Sequence, residues 1–109
     1  MAEPLYNPMP LGYLTVAASA VSVIANYPTY TDLTANKVDF QAAFGNGAQV
    51  YIGYVGMNTA TGVALLKVLQ PGESWSLTHN VGSNVLPVAD LYIHGDNAGD
   101  LVLVFAHVV

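Results

Sequence analysis

The chain has no cysteine and no arginine, and Lys37 and Lys67 are its only lysines. The missing cysteines exclude disulfides and thiolate metal centres, so stability has to come from packing. The shortage of cations excludes a nucleic-acid partner: a net charge of −5 repels a phosphate backbone, and two isolated lysines cannot displace its counterions. Charge of either sign is scarce, at 8% of residues against roughly 25% in an ordinary soluble domain. With 53% hydrophobic residues, part of the apolar surface is expected to be buried against other protein, the alternative being a surface of Asn, Thr, Ser, Gln and Tyr. No apolar run approaches the roughly 20 residues that span a bilayer. Glu3 is the only charge near the N-terminus, so neither a secretory leader nor a membrane partner is expected.

What is present is a pattern of short strands in a chain of 109 residues, the length of one domain. Gln70-Pro71-Gly72-Glu73 has the chemistry of a type II turn, with Pro71 setting φ at its second position and Gly72 accepting positive φ at its third. A strand should leave it, because Ser74, Ser76 and Thr78 alternate with Trp75 and Leu77, and Trp75 should lie inside the fold. Lys37 to Phe44 alternates as cleanly, with Val38, Phe40, Ala42 and Phe44 expected on one buried face. Gly45-Asn46-Gly47 reads as a tight connection to an antiparallel hairpin partner at Ala48 to Tyr54.

Further strands are expected within Gly12 to Ala25, at Val63 to Leu69, Ala89 to His94 and Leu101 to Val109, with loops at Asn26 to Asn36, Gly56 to Gly62 and His79 to Pro87. Residues 1–11 hold Pro4, Pro8 and Pro10 and read as an extended arm, followed by one domain over 12–109. Leu5, Tyr6 and Met9 make that arm too apolar for free solvation, whether it packs on its own domain or on a partner. Leu101 to Phe105 is apolar on both faces, so Leu101, Leu103 and Phe105 are, with the arm residues, the candidate partner contacts. Strands without an amphipathic helix indicate an all-β antiparallel sandwich, jelly-roll-like, with an immunoglobulin-like sandwich as the alternative.

Residues that could carry chemistry form no complete signature. His79, His94 and His107 lack the companion ligands of a cupin motif, and the pair His94-x-Asp96 runs into an ordinary turn. There is no Gly-x-Ser-x-Gly elbow, and Glu3, Asp32, Asp39, Glu73, Asp90, Asp96 and Asp100 show no catalytic spacing. No enzyme activity, cofactor or metal is expected. Tyr27, Tyr30, Tyr51 and Tyr54 could form a sugar-stacking platform, although such residues more often edge a core or anchor an interface.

Several of these stretches together carry a family likeness. They are Val50-Tyr51-Ile52-Gly53, Gly62 ahead of Leu66, Leu69-x-Pro71-Gly72-Glu73-Ser74, Asp90-Leu91-Tyr92-Ile93, and Ala98-Gly99-Asp100 before Val102 to Phe105. The C-terminal half so marked resembles the small β-sandwich virion proteins of tailed bacteriophages, in particular capsid decoration (cement) proteins. The resemblance implies a non-enzymatic, jelly-roll-like subunit, a homotrimer on the outer surface of an icosahedral capsid that bridges major capsid proteins. The alternative expectation is a carbohydrate- or receptor-binding module of a phage tail or fibre, using the loop tyrosines and Trp75.

Overall fold

Four antiparallel strand pairs nest one inside the next, as in a long hairpin rolled on itself. The computed structural model describes residues 7–17, 19–78 and 86–108, with side chains from Pro10 onward. Its strands are β1 (Asn7–Thr15), β2 (Val21–Ser22), β3 (Thr34–Ala42), β4 (Val50–Tyr54), β5 (Leu65–Leu69), β6 (Ser74–Thr78), β7 (Leu86–Pro87), β8 (Leu91–Gly95) and β9 (Leu101–Val108). The innermost pair is β4 with β5, then β3 with β6, β2 with β8, and β1 with β9. Pairing of β3 with β9 and of β4 with β8 gathers these into sheet A, ordered β1-β9-β3-β6, and sheet B, ordered β2-β8-β4-β5, while the short β7 also pairs with β3. This is an all-β sandwich with jelly-roll strand order. The immunoglobulin-like alternative falls, because its first strand does not pair with its last.

Between the sheets lies one core. Sheet A contributes Val38, Phe40 and Ala42 from β3 and Val102, Val104 and Ala106 from β9, and sheet B contributes Val50, Ile52, Leu69, Leu91 and Ile93, all buried. Trp75 faces the same interior and stacks on Phe40 with ring centroids 6.1 Å apart, although its edge-strand position leaves it half-buried. The turn at 70–73 forms as its residues predict: Glu73 N–H donates to the Gln70 carbonyl at 2.9 Å and Gly72 sits at φ +84°.

Several expectations need correction. β3 and β4 are not a hairpin. They lie in different sheets, and residues 43–49 carry the chain across the sandwich. Phe44 is accordingly 81% exposed rather than buried, because the strand ends at Ala42 and the alternation ends with it. β3 also begins at Thr34, inside the stretch read as loop, while the one or two strands expected within Gly12 to Ala25 are two, the end of β1 and the two-residue β2.

The arm has no boundary at residue 11. Asn7 to Leu11 form the first half of β1, hydrogen-bonded along β9 of the same domain. Two features let the prolines join a strand. The bond from Ala43 N–H to the Leu101 carbonyl shows that Leu101, Leu103 and Phe105 aim their backbone groups at β3. Pro10, opposite Phe105, and Pro8, opposite His107, therefore turn their nitrogens to the open edge, where no donor is needed. A bulge after Pro10, with Gly12 at φ +82°, then resets the strand so that Leu11 and Leu14 reach the core.

Candidate interaction surface

One end of the sandwich is tied together by a buried carboxylate. Asp100 is 6% exposed, the only buried charged side chain among the described residues. Its Oδ1 accepts from Gly47 N–H at 3.0 Å and from Asn97 Nδ2 at 2.9 Å, while its Oδ2 accepts from Ala48 N–H at 3.0 Å. Next to it, Asn46 bonds both backbone groups of Leu101, donating at 2.9 Å and accepting at 2.8 Å. The loop that crosses between sheets is thus clamped to the β8–β9 turn, which fixes where β9 begins.

The Gly47 bond, with those from Ala48 and Asn97, holds the Asp100 carboxyl below its usual pKa against the opposing effect of burial. A depressed folded-state pKa contributes stability above the unfolded value of 3.8, and that contribution is lost as pH falls through the folded one. The melting temperature is therefore expected to drop as pH is lowered from about 4. In Asp100→Asn the drop should be shallower from a lower starting point, which differential scanning calorimetry across pH 2–6 would read.

β9 then places its side chains on two faces. Val102, Val104 and Ala106 enter the core, and Leu101, Leu103, Phe105 and His107 point out of sheet A. The register sets three rows across this outer face. Tyr13, Leu103, Gln41 and Ser74 make one; Pro10, Phe105, Asp39 and Ser76 the next; Pro8, His107, Lys37 and Thr78 the third. The β1/β9 side is apolar, with Tyr13 57% and Leu101 36% exposed and Leu103 and Phe105 half-buried. The β3/β6 side is polar. A shallow depression of about 180 Å³ lies where the two meet, lined by Asp39, Gln41, Ser74, Ser76, Leu103 and Phe105 among others.

Asp39 organises the polar side. Ser76 Oγ donates to its Oδ1, His107 Nε2 hydrogen-bonds its Oδ2 at 2.8 Å, and Lys37 Nζ lies 3.7 Å from Oδ1. Partial burial raises the carboxyl pKa, but the bonds from Ser76 and His107 and the charge of Lys37 outweigh it, and the net shift is downward. Serine, histidine and aspartate meet here in the wrong order for nucleophilic catalysis. Ser76 gives its hydrogen bond to the carboxylate, whereas an activated serine gives it to the imidazole.

The other sequence candidates fall elsewhere. Leu5 and Tyr6 lie outside the described residues, as does His79; Met9 stands opposite Ala106 in β1. The four tyrosines do not form one platform. Tyr51 is buried, with its hydroxyl donating to Asp96 Oδ2 at 2.8 Å, and Tyr54 packs on the core. Tyr27 and Tyr30 stack on each other 5.3 Å apart in the loop between β2 and β3. His94 packs against the Tyr51 ring, Glu73 accepts from Gln70 N–H within its own turn, and no cluster of three potential metal ligands occurs among the described residues. A second depression, of about 300 Å³, lies beside His94, Asn58 and Thr59 at sheet B.

Sequence reasoning missed Asp100, the residue that positions β9. The available signal was a carboxylate directly after Ala98-Gly99 and directly before an apolar strand, a place where backbone donors converge.

Compared with known proteins, the chain matches no protein family, no curated protein and no solved structure. Fold and surface together define an all-β jelly-roll domain with one half-apolar, half-polar sheet face turned to solvent.

Proposed function

We propose that the chain is a non-enzymatic structural subunit that attaches to a larger protein assembly through the outer face of sheet A, as a decoration protein attaches to a phage capsid. The observation that carries this reading is the outward apolar row of Leu101, Leu103 and Phe105 beside Tyr13, on a chain with only 8% charged residues. Contiguous exposed apolar surface of this kind usually marks an interaction site. The likeness of the C-terminal half to cement proteins supplies the partner, a major capsid protein, and the place, the outer surface of a virion. Joining several subunits on one shell would let modest contacts from each sum to firm attachment.

The reading is tested by sedimenting the purified protein with shells assembled from the major capsid protein of its own virus. Wild type is expected to pellet with the shells. The double variant Leu103→Asp, Phe105→Asp should stay in the supernatant while keeping its melting temperature within a few degrees. Wild type left in the supernatant, or the double variant pelleting as wild type does, refutes the reading.

A second reading, as a glycan-binding module, draws on the stacked, exposed Tyr27 and Tyr30. It loses Trp75, which packs on Phe40 rather than offering a face to a sugar. Glycan binding abolished by Tyr27→Ala with Tyr30→Ala would favour it over the first.

A further inference from the structure

Along the main strand order of the described residues the two sheets have four edge strands, and three are guarded against adding another strand. β1 carries Pro8, Pro10 and a bulge; β2 is two residues long; β5 carries the exposed charge of Lys67 in the middle of its edge. β6, reading Ser-Trp-Ser-Leu-Thr, has no proline, no charge and no bulge against β3, and no described strand pairs on its other side. Its backbone directions follow from the bond of Ala42 N–H to the Glu73 carbonyl. Alternation from that point aims the backbone groups of Trp75 and Leu77 at β3, and the N–H and C=O of Ser74, Ser76 and Thr78 at the open edge.

We propose that this edge pairs antiparallel with the same edge of a second copy of the chain, about a twofold axis midway between the two Ser76 residues. The outward groups sit at 74, 76 and 78, so they are symmetric about 76. Ser76 then faces Ser76 of the second copy and Ser74 faces Thr78, with every outward N–H meeting an outward C=O. A twofold interface needs this kind of self-complementarity.

The side chains agree with that register. Trp75 and Leu77 lie on the inner face of β6 but remain partly exposed, because no further strand covers them there. In the pair, Trp75 of each copy meets Leu77 of the other across a non-hydrogen-bonded position, where side chains approach most closely. No residue from 74 to 78 is charged, so no like charges oppose one another in the strand pair. The net charge of −5 on each copy opposes approach at long range, so added salt should strengthen the association. The interface goes beyond the capsid-binding reading, since it uses the edge of sheet A and leaves the Leu103 and Phe105 face open. It also differs from the trimer that the family likeness implies.

The experiment is a concentration series by sedimentation equilibrium, from micromolar to about 1 mM, with hydrogen exchange on the same samples. The mass should rise from one chain to two. Exchange at Ser74, Ser76 and Thr78 should slow roughly tenfold at high concentration, while Trp75 and Leu77, already bonded to β3, should not change. Ser76→Pro removes an outward donor without touching the β3 ladder and should stay at one chain, whereas Ser76→Ala keeps the donor and should still pair. If Ser76→Pro fails to fold, Ser76→Lys decides, since it sets two ammonium groups face to face and should weaken pairing roughly tenfold or more. Because the chain has no cysteine, Ser76→Cys should cross-link into a dimer on oxidation far faster than Ser74→Cys, whose counterpart in the pair is Thr78. A mass that stays at one chain up to 1 mM, a mass of three chains, or pairing that survives Ser76→Lys overturns the proposal.

Discussion

Phe40→Ala is expected to remove about 3–5 kcal/mol of stability, a large part of the 5–15 kcal/mol that a domain of this kind holds. Phe40 is 1% exposed and sits on β3, the strand that sheet A is built around, with β9 on one side and β6 on the other. Its ring fills the space between the sheets and supports Trp75 at an interplanar angle of 23°. Alanine leaves a cavity that the surrounding strands cannot close, because β3 is held in register from both sides. At about 4 °C per kcal/mol the melting temperature should fall by roughly 12–20 °C. The one tryptophan should report the same loss locally, its emission moving to longer wavelength as water replaces the ring. Phe40→Leu, which keeps most of the volume, should cost less than about 1.5 kcal/mol. A loss under about 1 kcal/mol for the alanine variant would show that Phe40 is not the centre of the core.

The legible parts of this fold are those where one face is buried and the other wet. Val38, Phe40 and Ala42 announce themselves against Lys37, Asp39 and Gln41, and Trp75 and Leu77 against three hydroxyl residues, because burial on one side imposes a period of two. The same signal gives the outer surface in part: the two-faced run from Leu101 to Phe105 implied that some of its residues would point away from the core. What the sequence could not convey is which strands adjoin. Gly45-Asn46-Gly47 is as good a hairpin turn as a crossover, and the decision rests with Asp100 and Asn46, whose clamp joins residues more than fifty positions apart. The rows that put Tyr13 and Ser74 on either side of Leu103 and Gln41 depend on that long-range register too. Prolines misled for a related reason. Pro8 and Pro10 break a central strand but suit an outer one, and only the strand order reveals that β1 is at the edge.

Gly53→Ala should be the other severe substitution, although it adds a single methyl group. A Cβ at this position would lie 2.3 Å from the Ala64 carbonyl oxygen and 2.7 Å from Met57 Sδ. The thioether can swing aside, but the carbonyl is backbone and is held in place: it accepts from Tyr54 N–H at 2.9 Å. Ala64 is itself constrained, with φ at +57°, a left-handed conformation that costs a residue with a side chain about 1–2 kcal/mol. The approach of that carbonyl to the strand offsets the strain, and it is possible because Gly53 presents no side chain there. The new methyl group would push the Ala64 carbonyl outward, break its bond to Tyr54 and disturb the β4–β5 bulge between Ile52 and Gly53. Overpacking of this kind usually costs about 1–3 kcal/mol, and the lost hydrogen bond places Gly53→Ala near the upper end, about 3 kcal/mol. Urea denaturation would measure the loss. A midpoint within error of wild type would show that residues 55–64 move away from β4 without penalty, and that the strain at Ala64 is not tied to the closeness of the two strands.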